Sequence, residues 1–273
     1  MTRWRLLLVL VLVAVASALA LRFVLDGQAR KPAPMACYGW NAADPSCRFV
    51  DSLVRKLGPR QYSQGFEELI IRDFLGDRRD GFFLDVGSSH YKDDSTTLLL
   101  EERFGWKGIA IDANADYRDG YVQFRPGTRF VSFFVSDVSD EVGELTIVES
   151  APKNSTGVPE QARQIREAAG AGGVRDVQVP TITLNALLAR EKVAKVDFLS
   201  LDIEGYEPKA LAGFDIERFR PDLACVEVKP PTEEAIEGYF AAHGYVEIPK
   251  YRGIDPSNRY YAPKDSISAD ATP

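Results

Sequence analysis

Apolar residues at helical spacing and short unbroken apolar runs alternate along this chain, and that alternation predicts its architecture. Phe66, Leu69, Ile70, Phe74 and Leu75 recur as one face of a helix over residues 63–76. Gly76 and Gly81 bracket a polar break. Phe82-Phe83-Leu84-Asp85-Val86-Gly87 then reads as a buried strand that ends in an acid and a glycine. A helix opens near Ser95, a good N-cap, turns Leu98, Leu99, Leu100 and Phe104 inward, and stops at Gly105. Residues 107–111 form a second strand closed by Asp112. Residues 117–124 read as a helix, 129–135 as a strand and 145–148 as another. Residues 150–174 are small and polar, and predict a mobile loop or lid. Strands follow at 196–201 and 223–228, then a helix over 232–242 and a late strand at 245–248. Such alternation predicts an α/β fold: a doubly wound, mostly parallel sheet covered on both faces.

The N-terminus carries a different signal. Residues 6–25 are apolar apart from Ser17 and Arg22, enough helix to reach roughly 30 Å across a membrane core. Arg3 and Arg5 precede the stretch, and Arg22, Arg30 and Lys31 follow it. A single-pass N-terminal transmembrane helix is the preferred reading, with Arg22 snorkelling. Ala18-Leu19-Ala20 keeps open the alternative of a signal peptide, cleaved during export. Pro32, Pro34, Gly39, Asn41, Asp44 and Pro45 then suggest an irregular tether. The expected layout is an anchor or signal segment over 1–26, a linker over 27–61, the α/β domain over 62–262 and a flexible tail over 263–273.

A formal net charge of −7 argues against a nucleic-acid partner, since phosphate neutralisation supplies most of such affinity. Two histidines and three cysteines leave little for a closed zinc site. Metal chemistry would therefore fall to carboxylates. Cys225 lies in an apolar run and reads as a core residue; whether Cys37 and Cys47 pair stays open.

The chemistry sits at the strand ends, where open α/β sheets bind ligands. Asp85 and Gly87 end the first strand, Asp112 the second, Ser136 and Asp137 the third, and Asp202 and Glu204 the fourth. Acid at the second end suits the ribose hydroxyls of an adenosine-containing cofactor, and a polar side chain at the third suits its adenine. The turn Gly87-Ser88-Ser89-His90-Tyr91-Lys92 lacks the further glycines that let a pyrophosphate approach, which disfavours a nicotinamide dinucleotide and a hydride-transfer enzyme. A sulfonium-bearing adenosine needs no pyrophosphate site, and its positive charge suits the acids.

Three segments sharpen this reading: Phe83-Leu84-Asp85-Val86-Gly87-Ser88 with Ser95-Thr96-Thr97, then Gly105-Trp106-Lys107-Gly108-Ile109-Ala110-Ile111-Asp112-Ala113-Asn114, and Val196-Asp197-Phe198-Leu199-Ser200-Leu201-Asp202-Ile203-Glu204-Gly205-Tyr206-Glu207. Together, over about residues 63–250, the chain resembles the FkbM-type methyltransferases. The resemblance implies a Rossmann-like, class I methyltransferase-like fold, S-adenosylmethionine as donor, and O-methylation of a sugar, glycan or secondary metabolite. Carried over by motif, Asp85, Gly87 and Ser88 line the donor, Asp112 holds its ribose and Asp137 lies near adenine; Asn114 and Ser136 complete the expected cofactor-binding set. Asp112 stands where glutamate is commoner, Ala113-Asn114 replaces Pro-Asn, and the first loop lacks a second glycine.

Asp202 and Glu204 are two residues apart, so an extended backbone would point both to one side. Jointly they are candidates to take the acceptor's proton, or to hold a divalent cation such as Mg. Glu227 is a third candidate, as a wall of the acceptor pocket. Glu207, just before Pro208, reads as an acid favouring a helix N-terminus. The expected partners are a small-molecule or glycan acceptor and a membrane. The alternative is a non-catalytic membrane protein that keeps the fold as an interaction module.

Overall fold

The computed structural model describes residues 44–169 and 173–267. The apolar stretch 6–25, Cys37 and the residues after 267 lie outside them. Among the described residues no helix is long and apolar enough to cross a membrane. Cys47 is disulfide-bonded, and Cys225 is a buried free thiol.

Helix α1 (Pro45–Leu57) occupies part of the stretch expected as irregular tether, so Pro45 opens a helix rather than breaking one. The compact unit that carries the site begins at Ser52. In it, α2 (Glu67–Leu75) precedes β1 (Phe82–Val86), α3 (Leu98–Phe104) leads to β2 (Lys107–Ile111), and α4 (Arg118–Phe124) leads to β3 (Thr128–Val131). The second half contributes α6 (Leu184–Arg190), β7 (Phe198–Leu201), α7 (Glu207–Ala212), α8 (Ile216–Phe219), β8 (Leu223–Glu227), α9 (Glu233–Ala242), β9 (Tyr245–Glu247) and β10 (Asn258–Pro263).

These strands form a seven-stranded sheet in the order β3-β2-β1-β7-β8-β10-β9. All neighbours are parallel as far as β8, and β10 runs antiparallel to both β8 and β9. The order reverses between β1 and β7, which makes their carboxyl ends the switch point of a doubly wound sheet. Strand composition explains the layering. From Phe83 to Val86, Gly108 to Ile111, and throughout β7, every residue is buried, as strands covered on both faces must be. One face carries Leu84, Val86, Ile109, Ile111, Leu199, Leu201, Ala224 and Val226 into the main hydrophobic core. On the opposite face Asp85 is level with Ala110 and Ser200, and Ser200 with Cys225.

The register aligns the strand ends. Val86 pairs with Ile111 and Leu201, Ile111 with Val131, and Leu201 with Val226. Gly87, Asp112, Asp202 and Glu227 each come one residue later, so they share one rim of the sheet.

Between β3 and α6 the chain builds a separate three-stranded sheet, ordered β4-β6-β5, from β4 (Phe134–Val135), β5 (Val142–Val148) and β6 (Val174–Ile182). This corrects two sequence expectations. The strand expected over 129–135 is two strands in two sheets, because the chain leaves the main sheet after Val131. The stretch expected as a loop or lid instead contains α5 (Pro159–Ala169), followed by β6. The helix is tied down by charge: Arg166 bonds Glu144, Thr146 and Asp176 at 2.8–2.9 Å. Phe134, Leu145, Ile147 and Val179 give this sheet its own small core, against which Tyr206 packs edge-on to Phe134.

Candidate active site

A cleft of about 530 Å³ opens along the rim, within the size range of small-molecule sites. Of the residues proposed from sequence, Asp85, Gly87, Ser88, Asp112, Asp202, Glu204 and Glu227 line it together. The three-stranded sheet and the turn at Pro152–Ser155 form another wall, and Lys153 reaches across to Asp94 at 2.7 Å.

Gly87 is required by a close approach. Its φ is +82°, and a Cβ there would fall 1.6 Å from the carbonyl oxygen of Asp202. No larger residue lets β1 and β7 end side by side. The next residue, Ser88, is buried, and its hydroxyl has no hydrogen-bond partner. An orphaned hydroxyl lining a cleft is a ready contact for a ligand.

Asp85 is buried at the inner wall of the cleft. Burial drives its carboxyl above the usual range, opposed by the Thr97 hydroxyl that donates at 2.7 Å, by the Arg125 charge and by Ser200. Arg125 holds this arrangement from behind. Its guanidinium is buried and donates to Glu101 at 2.6 Å, to the Tyr91 carbonyl at 3.0 Å, and to the hydroxyls of Ser95, Thr97 and Thr128. The Ser95-Thr96-Thr97 segment is therefore clamped between Arg125 and Asp85. Ser95 also accepts from the Leu98 amide at 3.2 Å, but the helix starts at Leu98 and its N-cap is Thr97 rather than the expected Ser95.

Asp112 accepts from the Ser89 amide at 2.9 Å and the Asn114 amide at 2.8 Å. Burial pushes its carboxyl up to about 6, with Asp85 adding to the rise and the two amides opposing it. Each oxygen keeps a lone pair for a further donor. Tyr117 and Phe133 also line this part of the cleft.

Three residues expected on the donor side lie outside the cleft lining. Asn114 is buried, and its side chain accepts from the Asp116 amide to cap a short turn outside the cleft lining. Ser136 and Asp137 are also absent from the lining; the Ser136 hydroxyl donates to Asp137 at 2.9 Å. The cause is the departure of the chain into the second sheet, which presents Phe133, Phe134 and Val135 to the cleft instead.

At the acidic end, the motif Asp202-Ile203-Glu204-Gly205-Tyr206-Glu207 folds into a tight turn. Glu204 and Gly205 have φ of +58° and +101°. The backbone is therefore not extended as expected, although Asp202 and Glu204 both line the cleft. Glu204 pairs with Lys229, which also lies 3.0 Å from Glu227. Glu207, outside the cleft lining, joins the acids from behind: a carboxyl oxygen from each of Asp202, Glu207 and Glu227 lies within 4.8 Å of the other two. Glu207 Oε1 accepts the amides of Ile203 at 2.9 Å and Gly205 at 3.1 Å, which locks the turn. Asp202 is open to the cleft but enclosed by protein on its other sides. That enclosure, then Glu227, Glu204 and Glu207, raises its proton affinity well above that of a free aspartate. Lys229 and the part played by Glu207 were missed from sequence; the acid closing the D-x-E-G-x-E spacing was the available signal.

Glu67 and Asp255 form a second acidic pair in the wall. Burial and then Asp255 push Glu67 up to about 7, although the Gly65 amide donates to it at 2.7 Å. The folded chain thus holds a proton that an unfolded glutamate loses near 4.5, and stability falls as pH rises through that interval. Glu67→Gln should remove this dependence. Relative to wild type it should gain about 2–3 kcal/mol of stability between pH 4 and pH 8. Urea unfolding at both pH values checks this, and an identical difference at both would contradict it.

Residues 85–247, more than half of the chain, match the methyltransferase FkbM domain. Two solved structures are similar to the chain. The precorrin-6y C5,15-methyltransferase of Geobacter metallireducens GS-15 shares 12% identity, over 66% of this chain and 71% of that one, with a TM-score of 0.38. The METTL16 MTase domain shares 13%, over 86% of this chain and 82% of that one, also with a TM-score of 0.38. No curated protein matches.

Proposed function

The chain belongs to the FkbM methyltransferase family, and on that premise we propose that it moves a methyl group from S-adenosylmethionine to a hydroxyl oxygen of a sugar, glycan or other small acceptor. The observation that carries this reading is the shared rim: a glycine, an unpartnered buried hydroxyl and acids from four adjacent strands face one cleft. The residues fit the donor. Gly87 leaves room beside the backbone, Ser88 has a hydroxyl to offer, and Asp112 has lone pairs for ribose hydroxyls. When bound, S-adenosylmethionine supplies an electrophilic methyl group on a positive sulfur.

The chain's own residues supply position and proton transfer. Methylating a hydroxyl releases its proton, and Asp202 is the acid best placed to receive it. Raised proton affinity makes it a stronger base than an ordinary carboxylate once ionised. Glu227 and Glu204, steadied by Lys229, wall the acceptor side. Holding the acceptor oxygen in line with the methyl group is itself a large source of rate. The apolar stretch 6–25 supports a further proposal, that the enzyme works tethered to a membrane by a single N-terminal helix.

The test is a transfer assay with donor labelled in the methyl group and a panel of hydroxylated acceptors. Label recovered as an alkali-stable ether supports the proposal. Label recovered only on nitrogen or carbon would refute O-methylation.

A further inference from the structure

The acids after β7 and β8 outnumber the cations facing them. Asp202, Glu204, Glu207 and Glu227 converge, and among the described residues Lys229 is the ammonium paired with them, through Glu204 and Glu227. That leaves Asp202 and Glu207 without a cation of their own.

Glu207 adds an independent observation. Its side chain is completely buried. Oε1 is taken by two loop amides, while Oε2 is buried with no hydrogen-bond partner. A buried carboxylate oxygen left bare is costly and signals a missing positive or donor group. With Oε1 committed to the loop, Oε2 is the oxygen available to Asp202 and Glu227.

We propose that Asp202, Glu207 and Glu227 bind one divalent cation of the hard class represented by Mg2+ and Mn2+. For its role, this rests on the methyl-transfer reading: an ion here would acidify the acceptor hydroxyl. The ligand set is all carboxylate oxygen, which selects such ions over zinc or copper. Ligands on opposite sides of Mg2+ stand about 4.2 Å apart, twice a bond of about 2.1 Å. At most one pair of three ligands can be opposite, and neighbouring ligands stand about 3.0 Å apart, so oxygens that lie within 4.8 Å of one another must draw together by up to about 2 Å. Glu204 is left out of the set because its carboxylate is not among the three whose oxygens converge within 4.8 Å.

The test titrates the full-length, EDTA-treated chain with MnCl2, without donor or acceptor, and follows free Mn2+ by electron paramagnetic resonance. One bound Mn2+ per chain, displaced by Mg2+, is the expected result. Glu207→Gln keeps an oxygen for the Ile203 and Gly205 amides and so should fold normally. It should weaken Mn2+ binding by about tenfold or more, as should Asp202→Asn. Absence of bound Mn2+ at millimolar concentrations, or binding unchanged in both variants, overturns the site. Calorimetry with S-adenosylhomocysteine on the metal-free chain separates the two readings. A chain that binds the nucleoside but no Mn2+ loses only the cation site. One that binds Mn2+ at these residues but no nucleoside keeps the site and loses the methyl-transfer reading.

Discussion

Asp202→Asn should lower kcat for methyl transfer by about 10²- to 10⁴-fold, the usual worth of a positioned acid–base group, while leaving donor affinity within about tenfold. The split follows from the rim. Asp202 ends β7 beside Glu227, whereas the residues proposed to hold the donor, Gly87, Ser88 and Asp112, lie on the other side of the strand-order reversal. Asparagine keeps the size of the side chain and loses the ability to take a proton. Single-turnover rates with saturating donor, set beside calorimetric donor binding, would read the two effects apart. Turnover at the wild-type rate would remove Asp202 from the mechanism.

Arg125→Met should destabilise the fold by about 3–5 kcal/mol, the cost of breaking a buried ion pair and stranding its partner. Arg125 is fully buried, and Glu101 beside it is only 10% exposed. Methionine fills much of the volume but leaves Glu101 with only the Gly127 amide and the Thr128 hydroxyl. It also frees the Tyr91 carbonyl and unclamps Ser95 and Thr97. Because Thr97 donates to Asp85, donor affinity should fall too, although Arg125 does not line the cleft. Arg125 is thus a positioning residue. Arg125→Lys keeps the charge without the fork of donors and should fall between the two. An unchanged urea midpoint in Arg125→Met would contradict this account.

The parallel half of the sheet was legible in the sequence for a physical reason. Strands buried on both faces read as apolar runs, so the runs read at 82–87, 107–111, 196–201 and 223–228 each contain an observed strand, and the polar residues at their ends marked the rim. Less legible were elements whose stability is not apolar. Helix α5 is held by Arg166 and its carboxylate partners rather than by an apolar stripe, and it reads as a loop. Strand β6 mixes Arg175, Asp176 and Gln178 with its valines and contains Pro180, which weakens its signal. Strand β10 lies past the last strand that the alternation suggested.

The site shows the same division. Gly87, Asp112 and Asp202 were legible because each ends a strand. The placements that differ from the sequence reading depended on backbone direction, which residue identity does not give. Glu204 lines the cleft but leaves Asp202 through a left-handed turn to pair with Lys229, Ser136 and Asp137 follow a chain that has changed sheets, and Glu207 both opens its helix, as its sequence position suggests, and reaches back to the other acids. The pairing of Glu67 with Asp255 is equally invisible in sequence, since the two lie far apart along the chain.

Titration calorimetry of the full-length chain with S-adenosylhomocysteine, beside Asp112→Asn, addresses the central claim most directly. The account predicts one nucleoside per wild-type chain, and an affinity about tenfold or more lower in Asp112→Asn, the worth of a charge-assisted hydrogen bond to ribose. A wild-type chain that binds no nucleoside, or an Asp112→Asn chain that binds it equally well, would contradict the assignment of this rim as the donor site.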